Sequence, residues 1–156
     1  MAMRTEFDPQ TNNGVADAAA ILAIVEDTRR GVCARDLRRV LAHYAPEVVT
    51  FDLVEPLVHR GLDEVRARLK SWFESFRTDI QYEHRNAELR VRGDVAFGYR
   101  TTHVRGTNVG GELIDMWFRE TICFRKIEGA WKIVHQHSSV PLEMKTLKGM
   151  LDLRPS

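Results

Sequence analysis

Apolar residues recur at helical spacing in three segments of the first half of the chain. The first segment predicts a helix over about 17–30, with Gly31 following its end. The second predicts a shorter helix over about 35–44, which Pro46 terminates because proline cannot continue a helix. The third predicts a helix over about 61–76 with a strong apolar stripe.

The pattern changes to strands after residue 78. Four long strands are predicted, over 80–91, 95–104, 112–127 and 131–140. The links between them are short and rich in glycine, so neighbouring strands are expected to pair antiparallel. Before the third helix, the β-rich stretch 48–52 is broken at Pro56 and resumes over 57–59, which predicts a hairpin.

This order of elements predicts a single α+β domain with its helices on one face of the sheet. The length of 156 residues fits one domain. Residues 1–16 are polar and are interpreted as a flexible N-terminal arm. The domain is placed at 17–140, and 141–156 is interpreted as a C-terminal tail, either a loose helix or an arm on a partner.

Composition and charge narrow the classes of partner. The chain is 44% hydrophobic and 29% charged, with a net charge of +1, which gives no electrostatic case for nucleic acid or for an anionic membrane. No apolar run approaches the roughly 20 residues that a transmembrane helix needs. Cys33 and Cys123 are too few and too distant for a disulfide framework, so a reducing, cytoplasmic setting is predicted.

A block in the second half carries a family resemblance. The residues are Arg92-Gly93-Asp94-Val95-Ala96, then Arg119-x-Thr121, then Gly129-Ala130-Trp131-Lys132-Ile133-Val134-His135-Gln136-His137-Ser138. They resemble the SnoaL-like, ketosteroid-isomerase-like domains of the nuclear transport factor 2-like superfamily. The same stretch is similar to the association domain of calcium/calmodulin-dependent kinase II. The resemblance covers about 17–140, including the stretch 58–61 that leads into the third helix.

The resemblance implies a cystatin-like fold: a cone-shaped, curved antiparallel sheet with three packing helices that enclose a pocket. The expected partner is a small organic ligand, anionic or carbonyl-containing, and no cofactor is expected. Isomerases, cyclases, hydratases, dehydratases and non-catalytic binders all use this fold, so the fold does not settle the chemistry.

Asp52 is the candidate catalytic residue. Residues 37–61 resemble the ketosteroid isomerase pattern without gaps, and Asp52 falls on its catalytic aspartate, which shuttles a proton beside a carbonyl. The alternative is a hairpin-end aspartate that binds the turn before Pro56. The two positions that would hold the enolate oxygen carry Thr28 and Ile122, which are not acids, so steroid isomerisation is not expected.

Arg100 is the first candidate ligand-binding residue. It matches a pocket-facing arginine of the kinase association domain, and a guanidinium in a cone favours a carboxylate, phosphate or enolate. Ala96 and Gly98 share its face by strand alternation and are expected to leave room for a ligand. The alternative is a buried structural ion pair with Glu120 or Asp52.

Five further residues are candidates for lining the pocket. Glu120, Gln136 and Ser138 share the pocket face if the strand register follows that of the arginine, although one strand bulge would reverse this. Tyr44 and Trp72 lie at the inner ends of the second and third helices, where the alternative is a plain core position.

The pair His135 and His137 raises a metal hypothesis, because residues two apart on a strand point to the same side. His103 has the right parity to be a third ligand, but it is expected about 9–10 Å away, at ~4.8 Å per strand. No metal site is therefore predicted. The two histidines are expected to face away from the pocket, in an outer polar network.

The outer face of the sheet predicts self-association. Phe97, Tyr99 and Trp117 are all expected on it, and large apolar groups on a sheet face that no helix covers usually mark an interface. A homodimer through the sheets is predicted.

Two functions remain open. One is a cofactor-free isomerase, cyclase or dehydratase that acts on a small carbonyl compound, with Asp52 as base and Arg100 stabilising the developing negative charge. The other is a non-catalytic ligand-binding or oligomerisation domain.

Overall fold

The computed structural model describes residues 4–7 and 13–156. The described helices are α1 (Gly14–Cys33), α2 (Leu37–Leu41) and α3 (Gly61–Glu74). The described strands are β1 (Arg4–Phe7), β2 (Tyr44–Phe51), β3 (His59–Arg60), β4 (Gln81–Arg92), β5 (Val95–Thr107), β6 (Leu113–Ile127), β7 (Ala130–Ser139), β8 (Leu142–Glu143) and β9 (Lys148–Gly149). No helix in these ranges is both long enough and apolar enough to cross a bilayer.

The large sheet has the strand order β1-β4-β5-β6-β7-β2-β3. The four long strands β4 to β7 pair antiparallel with their neighbours, as predicted. The flanks differ from the prediction of a wholly antiparallel sheet, because β2 runs parallel to β7 and β1 runs parallel to β4. The predicted α+β fold, with a large curved sheet and three helices, is confirmed.

The N-terminal segment departs from the predicted arm in the part that is described. Residues 4–7 form β1 at the edge of the sheet, whereas residues 1–3 and 8–12 lie outside the described residues. Helix α1 begins at Gly14, before the predicted start at Asp17. The Asp17 carboxylate instead accepts a hydrogen bond from Trp131 Nε1 at 2.8 Å, which ties the first turn of α1 to β7.

The second helix is shorter than predicted. Asp36 caps it by accepting a hydrogen bond from the Arg39 amide at 3.0 Å, and α2 ends at Leu41. The chain then joins the sheet, because the His43 carbonyl accepts a hydrogen bond from the Ile133 amide at 2.8 Å. Tyr44 is consequently the first residue of β2 and not the last residue of a helix.

The C-terminal tail does not form the loose helix considered from the sequence. Strands β8 and β9 pair as a small antiparallel hairpin, and the Met150 amide donates to the Pro141 carbonyl at 2.8 Å. Further along, Arg154 Nη2 lies 3.4 Å from both the carbonyl oxygen and Oδ1 of Asp115 on β6. The tail is thereby folded on itself at its start and contacts β6 through Arg154.

A β-bulge in β7 determines which side chains face inward. Cys123 pairs with His135 and Phe124 pairs with Ile133, so Val134 has no partner in the ladder. A bulge shifts the alternation of side chains by one residue. Odd-numbered Trp131 and Ile133 before the bulge are buried in the core, whereas even-numbered Gln136 and Ser138 after the bulge line the interior cavity.

The hydrophobic core lies between the helices and the inner face of the sheet. One close contact, between Gly106 on β5 and the Phe76 ring, contributes to the packing of this core. A Cβ at Gly106 would lie 2.8 Å from Cδ1 of Phe76, so only glycine lets β5 approach that ring.

Candidate functional site

A cavity of about 360 Å³ opens into the core between the inner face of the sheet and helices α1 and α3. Its walls are mostly apolar, with a small number of polar side chains among them, which is the usual composition of a small-molecule site. The seven residues predicted from the sequence all line this cavity: Tyr44, Asp52, Trp72, Arg100, Glu120, Gln136 and Ser138.

Arg100 and Glu120 form a buried ion pair at the cavity wall. Arg100 Nε lies 2.8 Å from Glu120 Oε2, and the two residues are only 7% and 2% exposed. The structural ion pair considered as the alternative for Arg100 is therefore present. The ion pair does not satisfy the whole guanidinium group, because Arg100 Nη1 is buried without a hydrogen-bond partner among the described residues.

Glu120 is a hydrogen-bond acceptor for four side chains. Oε2 accepts from Arg100 Nε and from Thr102 Oγ1, while Oε1 accepts from Gln136 Nε2 at 2.6 Å and from Tyr82 Oη at 3.3 Å. Burial alone would raise the pKa of Glu120, but the charge of Arg100 and these hydrogen bonds outweigh burial, and the pKa is lowered. Glu120 is consequently an ionised carboxylate whose acceptor sites are filled.

Gln136 links this carboxylate to Tyr44. Tyr44 Oη donates to Gln136 Oε1 at 2.6 Å, which fixes the side-chain amide so that its nitrogen points at Glu120. Burial raises the pKa of Tyr44, so the phenol keeps its proton.

His84 extends the network on the other side, although it is not one of the residues that line the cavity. Its Nδ1 lies 3.2 Å from Thr102 Oγ1, whose own hydrogen is donated to Glu120. We assign the proton of the neutral ring to Nδ1 on the basis of this arrangement. Burial, followed by the charge of Arg100, lowers the pKa of His84 to about 3, which keeps the ring neutral.

The sequence did not single out Tyr82, His84 or Thr102. Strand alternation carried a usable indication, because Thr102 lies two residues from Arg100 and shares its face. The pairing of Thr102 with residue 84 across β4 and β5 follows only from the register, which the sequence did not fix.

Asp52 lies at the part of the cavity wall where β2 ends. Arg68 on α3 approaches it with Nε 2.8 Å from Oδ2, and the Leu53 amide donates to Oδ1 at 2.6 Å. The side chains of Asp52 and Arg68 remain 24% and 20% exposed, so both stay accessible from the cavity region. The hydrogen bond from Leu53 is the local turn interaction considered as the alternative for Asp52.

Arg68 is a further cavity residue that sequence reasoning missed. The indication was present, because Arg68 lies four positions before Trp72 on α3, a spacing that places both on one face of the helix, and both line the cavity. An arginine on an otherwise apolar helix face is unusual unless it has a partner, which here is Asp52.

Two other sequence interpretations concern the cavity wall. Thr28 and Ile122, at the positions that hold the enolate oxygen in ketosteroid isomerases, do line the cavity, and Thr28 Oγ1 is buried without a hydrogen-bond partner among the described residues. Ala96 and Gly98 were expected to leave room beside Arg100, but neither lines this cavity. A Cβ at Gly98 would lie 3.0 Å from the Glu88 carbonyl oxygen, so this glycine accommodates the neighbouring strand and not a ligand.

The two histidines of β7 lie on the outer face, as expected from the parity of the strand. His135 Nδ1 lies 2.8 Å from the Val49 carbonyl oxygen. The Phe51 ring contacts the rings of both His135 and His137 edge-on, with centroids 4.8 and 5.4 Å apart. Within the ranges 4–7 and 13–156, no group of three or more histidine, cysteine or acidic side chains is arranged to hold a metal.

The outer apolar surface is smaller than predicted. Phe97 and Tyr99 are 46% and 41% exposed, but Trp117 is buried. The His103 ring stacks on Trp117 with centroids 4.7 Å apart, and the Arg85 guanidinium lies 5.2 Å from its centroid. These intramolecular contacts cover the indole, so Trp117 does not contribute to an exposed patch.

The comparisons with known proteins agree with this architecture. A nuclear transport factor 2-like protein of unknown function from Pseudomonas putida is 24% identical, with 90% of this chain and 98% of that chain covered and a TM-score of 0.83. A proposed dehydratase of the same superfamily from Streptomyces avermitilis is 17% identical, with 83% and 99% covered and a TM-score of 0.72. A ketosteroid isomerase-like protein from Erwinia carotovora atroseptica is 25% identical, with 78% and 93% covered and a TM-score of 0.67.

No curated protein matches the chain. Residues 21–143 match the SnoaL-like domain, which accounts for most of the helices and for all four long strands. The chain therefore belongs to the SnoaL-like domain family.

Proposed function

We propose that the protein binds a small, largely apolar carbonyl compound in the cavity and acts on it as a cofactor-free isomerase, cyclase or dehydratase, with Asp52 as the base. One observation carries the proposal. A mostly apolar cavity contains both an accessible carboxylate, Asp52, and a buried guanidinium, Arg100, with an unpaired nitrogen. Proton abstraction beside a carbonyl needs a base and a group that stabilises negative charge on oxygen.

The roles follow from the positions of the two groups. Asp52 would take a proton from the carbon next to the carbonyl, and Arg68 would hold the carboxylate in place. Arg100 would donate to the carbonyl oxygen as negative charge develops there. It is already oriented by Glu120, so it would not need to reorganise during the reaction.

A second candidate is a binding protein without chemistry. It is favoured by the engagement of the carboxylates, because Asp52 is paired with Arg68 and Leu53, and Glu120 is surrounded by donors. A carboxylate whose oxygens already accept hydrogen bonds has fewer acceptor sites left for a substrate. Binding and catalysis therefore have to be separated by experiment.

The test is a thermal-shift screen of aromatic ketones and small carboxylates, followed by turnover assays on every compound that stabilises the protein. If Asp52 is the base, Asp52→Asn should lower turnover by about 100-fold or more while binding persists. Asp94→Asn, at an exposed turn, is the matched control and should leave turnover unchanged. Binding by the wild type with no turnover of any hit would support the second candidate and contradict the first.

The quaternary state and the compartment are also proposed. We propose a homodimer through the outer face of the sheet, around the exposed Phe97 and Tyr99. We propose a reducing, cytoplasmic setting because Cys33 and Cys123 are both free thiols.

A further inference from the structure

We infer that the cavity selects its ligand by net charge, so that a neutral oxygen acceptor is preferred to a carboxylate of the same shape, and that Asp52 and Glu120 set this preference. The inference rests on the part of the proposed function that places the ligand in this cavity. It adds a rule for which ligands are accepted and names the residues that impose it.

The charged groups of the cavity wall form two pairs. Arg100 is paired with Glu120, and Arg68 is paired with Asp52, each with a nitrogen–oxygen distance of 2.8 Å. These are the charged side chains among the described lining residues, and their charges cancel. Each arginine therefore already has its own anionic partner before any ligand enters.

A ligand carboxylate would upset this balance. It would bring a third negative charge into a largely apolar cavity that holds two positive ones, and it would have to compete with Glu120 for Arg100. An uncompensated charge in such a site is costly to desolvate and is repelled by the like charges already present. A neutral carbonyl oxygen carries neither cost.

The unmet hydrogen bonds of the wall point to the same class of ligand. Glu120 has its acceptor sites filled by four donors, whereas Arg100 Nη1 is buried without an acceptor among the described residues. Thr28 Oγ1, also at the cavity wall, has no partner among them either. A ligand that brings an acceptor can satisfy Nη1, and the oxygen of a ketone, aldehyde, ester or amide is such an acceptor.

The experiment uses two probes of nearly the same shape, 2-acetylnaphthalene and 2-naphthoate, titrated into the wild-type protein at neutral pH by calorimetry. We expect the ketone to bind at least about tenfold more tightly than the carboxylate, a factor typical of one uncompensated charge interaction. Equal binding, or tighter binding of naphthoate, would overturn the inference.

Variants that remove one negative charge should largely abolish the preference. Glu120→Gln keeps the size of the side chain and leaves Arg100 unpaired by charge, so naphthoate should gain about tenfold relative to the ketone. Asp52→Asn, at the partly exposed pair, should have the same effect without altering the buried network. Asp94→Asn is the exposed control and should leave the ratio of the two affinities unchanged.

The outcomes distinguish charge selection from ligand binding in the cavity itself. Binding of both probes with a ratio that neither charge-removing variant changes would overturn charge selection and leave the proposed ligand site standing. Binding of neither probe by the wild type or by any variant would contradict the cavity as a site for aromatic oxygen compounds. The proposed function would fall together with the inference.

Discussion

Arg100 and Glu120 occupy directly opposed positions on β5 and β6, and their side chains meet through a 2.8 Å ion pair inside the core. The register of the two strands therefore creates the pair, and the pair in turn holds the register. Thr102, Tyr82 and Gln136 complete the coordination of the carboxylate from three different strands. The polar wall of the cavity is consequently part of the framework of the sheet.

Removing the carboxylate should destabilise the fold. Glu120→Ala leaves Arg100 as an unpaired buried charge and removes the acceptor of four donors, so we expect the free energy of unfolding to fall by about 3–5 kcal/mol. Urea denaturation measures it. Glu120→Gln, which retains an acceptor oxygen, should cost less. An alanine variant as stable as the wild type would show that the network has no structural role.

The free energy of unfolding should fall as the pH is lowered, and the pKa of His84 indicates the pH range in which this happens. Its pKa is lowered from an ordinary 6.5 to about 3 in the folded protein, so between these values the unfolded chain binds a proton that the folded chain does not. The free energy of unfolding should therefore decrease as the pH falls through this window, by up to about 1.4 kcal/mol per pH unit.

The upper part of this window, above about pH 4.5, isolates the histidine. The pKa of Glu120 is lowered from 4.5, so its contribution to stability is lost only as the pH falls below that value. His84→Asn replaces the imidazole with an amide that can still donate to Thr102 but does not titrate. The free energy of unfolding of this variant should therefore depend less on pH between pH 6.5 and 4.5 than that of the wild type. Parallel curves for the variant and the wild type would contradict the assignment.

The proposed homodimer makes the outer surface of β5 sensitive to charge. Phe97→Asp places a carboxylate at the centre of the exposed apolar patch and should shift the protein from dimer to monomer at micromolar concentration. Sedimentation equilibrium measures the mass. Val109→Asp, at an exposed turn residue, is the control. A monomeric mass for the wild type under the same conditions would count against the dimer.

Leu151 should affect how tightly a ligand is held. It lines the cavity but is 50% exposed, so it lies where the cavity meets solvent. Leu151→Ala removes part of this apolar wall and should weaken binding of 2-acetylnaphthalene by roughly 1 kcal/mol, about fivefold in Kd. Met144→Ala, at an exposed tail residue that does not line the cavity, is the control. Equal affinities would place the tail outside the site.

Sequence patterns predicted the parts of the structure that repeat locally. The apolar stripe of α3 and the alternation along β5 and β6 identified these elements and the inward face that carries Arg100 and Glu120. Six of the seven predicted site residues lie on regular elements, where the direction of a side chain follows from its position, whereas Asp52 lies just after the end of β2.

Features that depend on contacts distant in sequence were not predictable in this way. Arg68 is separated from Asp52 by a loop, strand β3 and about two turns of helix, and their pairing depends on how α3 packs against β2. Trp117 was expected in an exposed patch because sequence spacing does not reveal that His103 and Arg85 cover it. The hairpin of the tail and the position of Leu151 were not predicted, because the tail sequence has no periodic pattern and its strands are only two residues long.

The unpaired Val134 lets β7 present residues of both parities to the interior. Trp131 and Ile133 before it and Gln136 and Ser138 after it all face inward, whereas an unbroken alternation would continue with His135 and His137. Because Val134 is the residue without a partner, a strand that lacked it would keep the same inward set. The bulge therefore decides that an amide and a hydroxyl group, and not two imidazoles, line this part of the cavity, and a one-residue deletion at Val134 would leave the chemistry of the wall as it is.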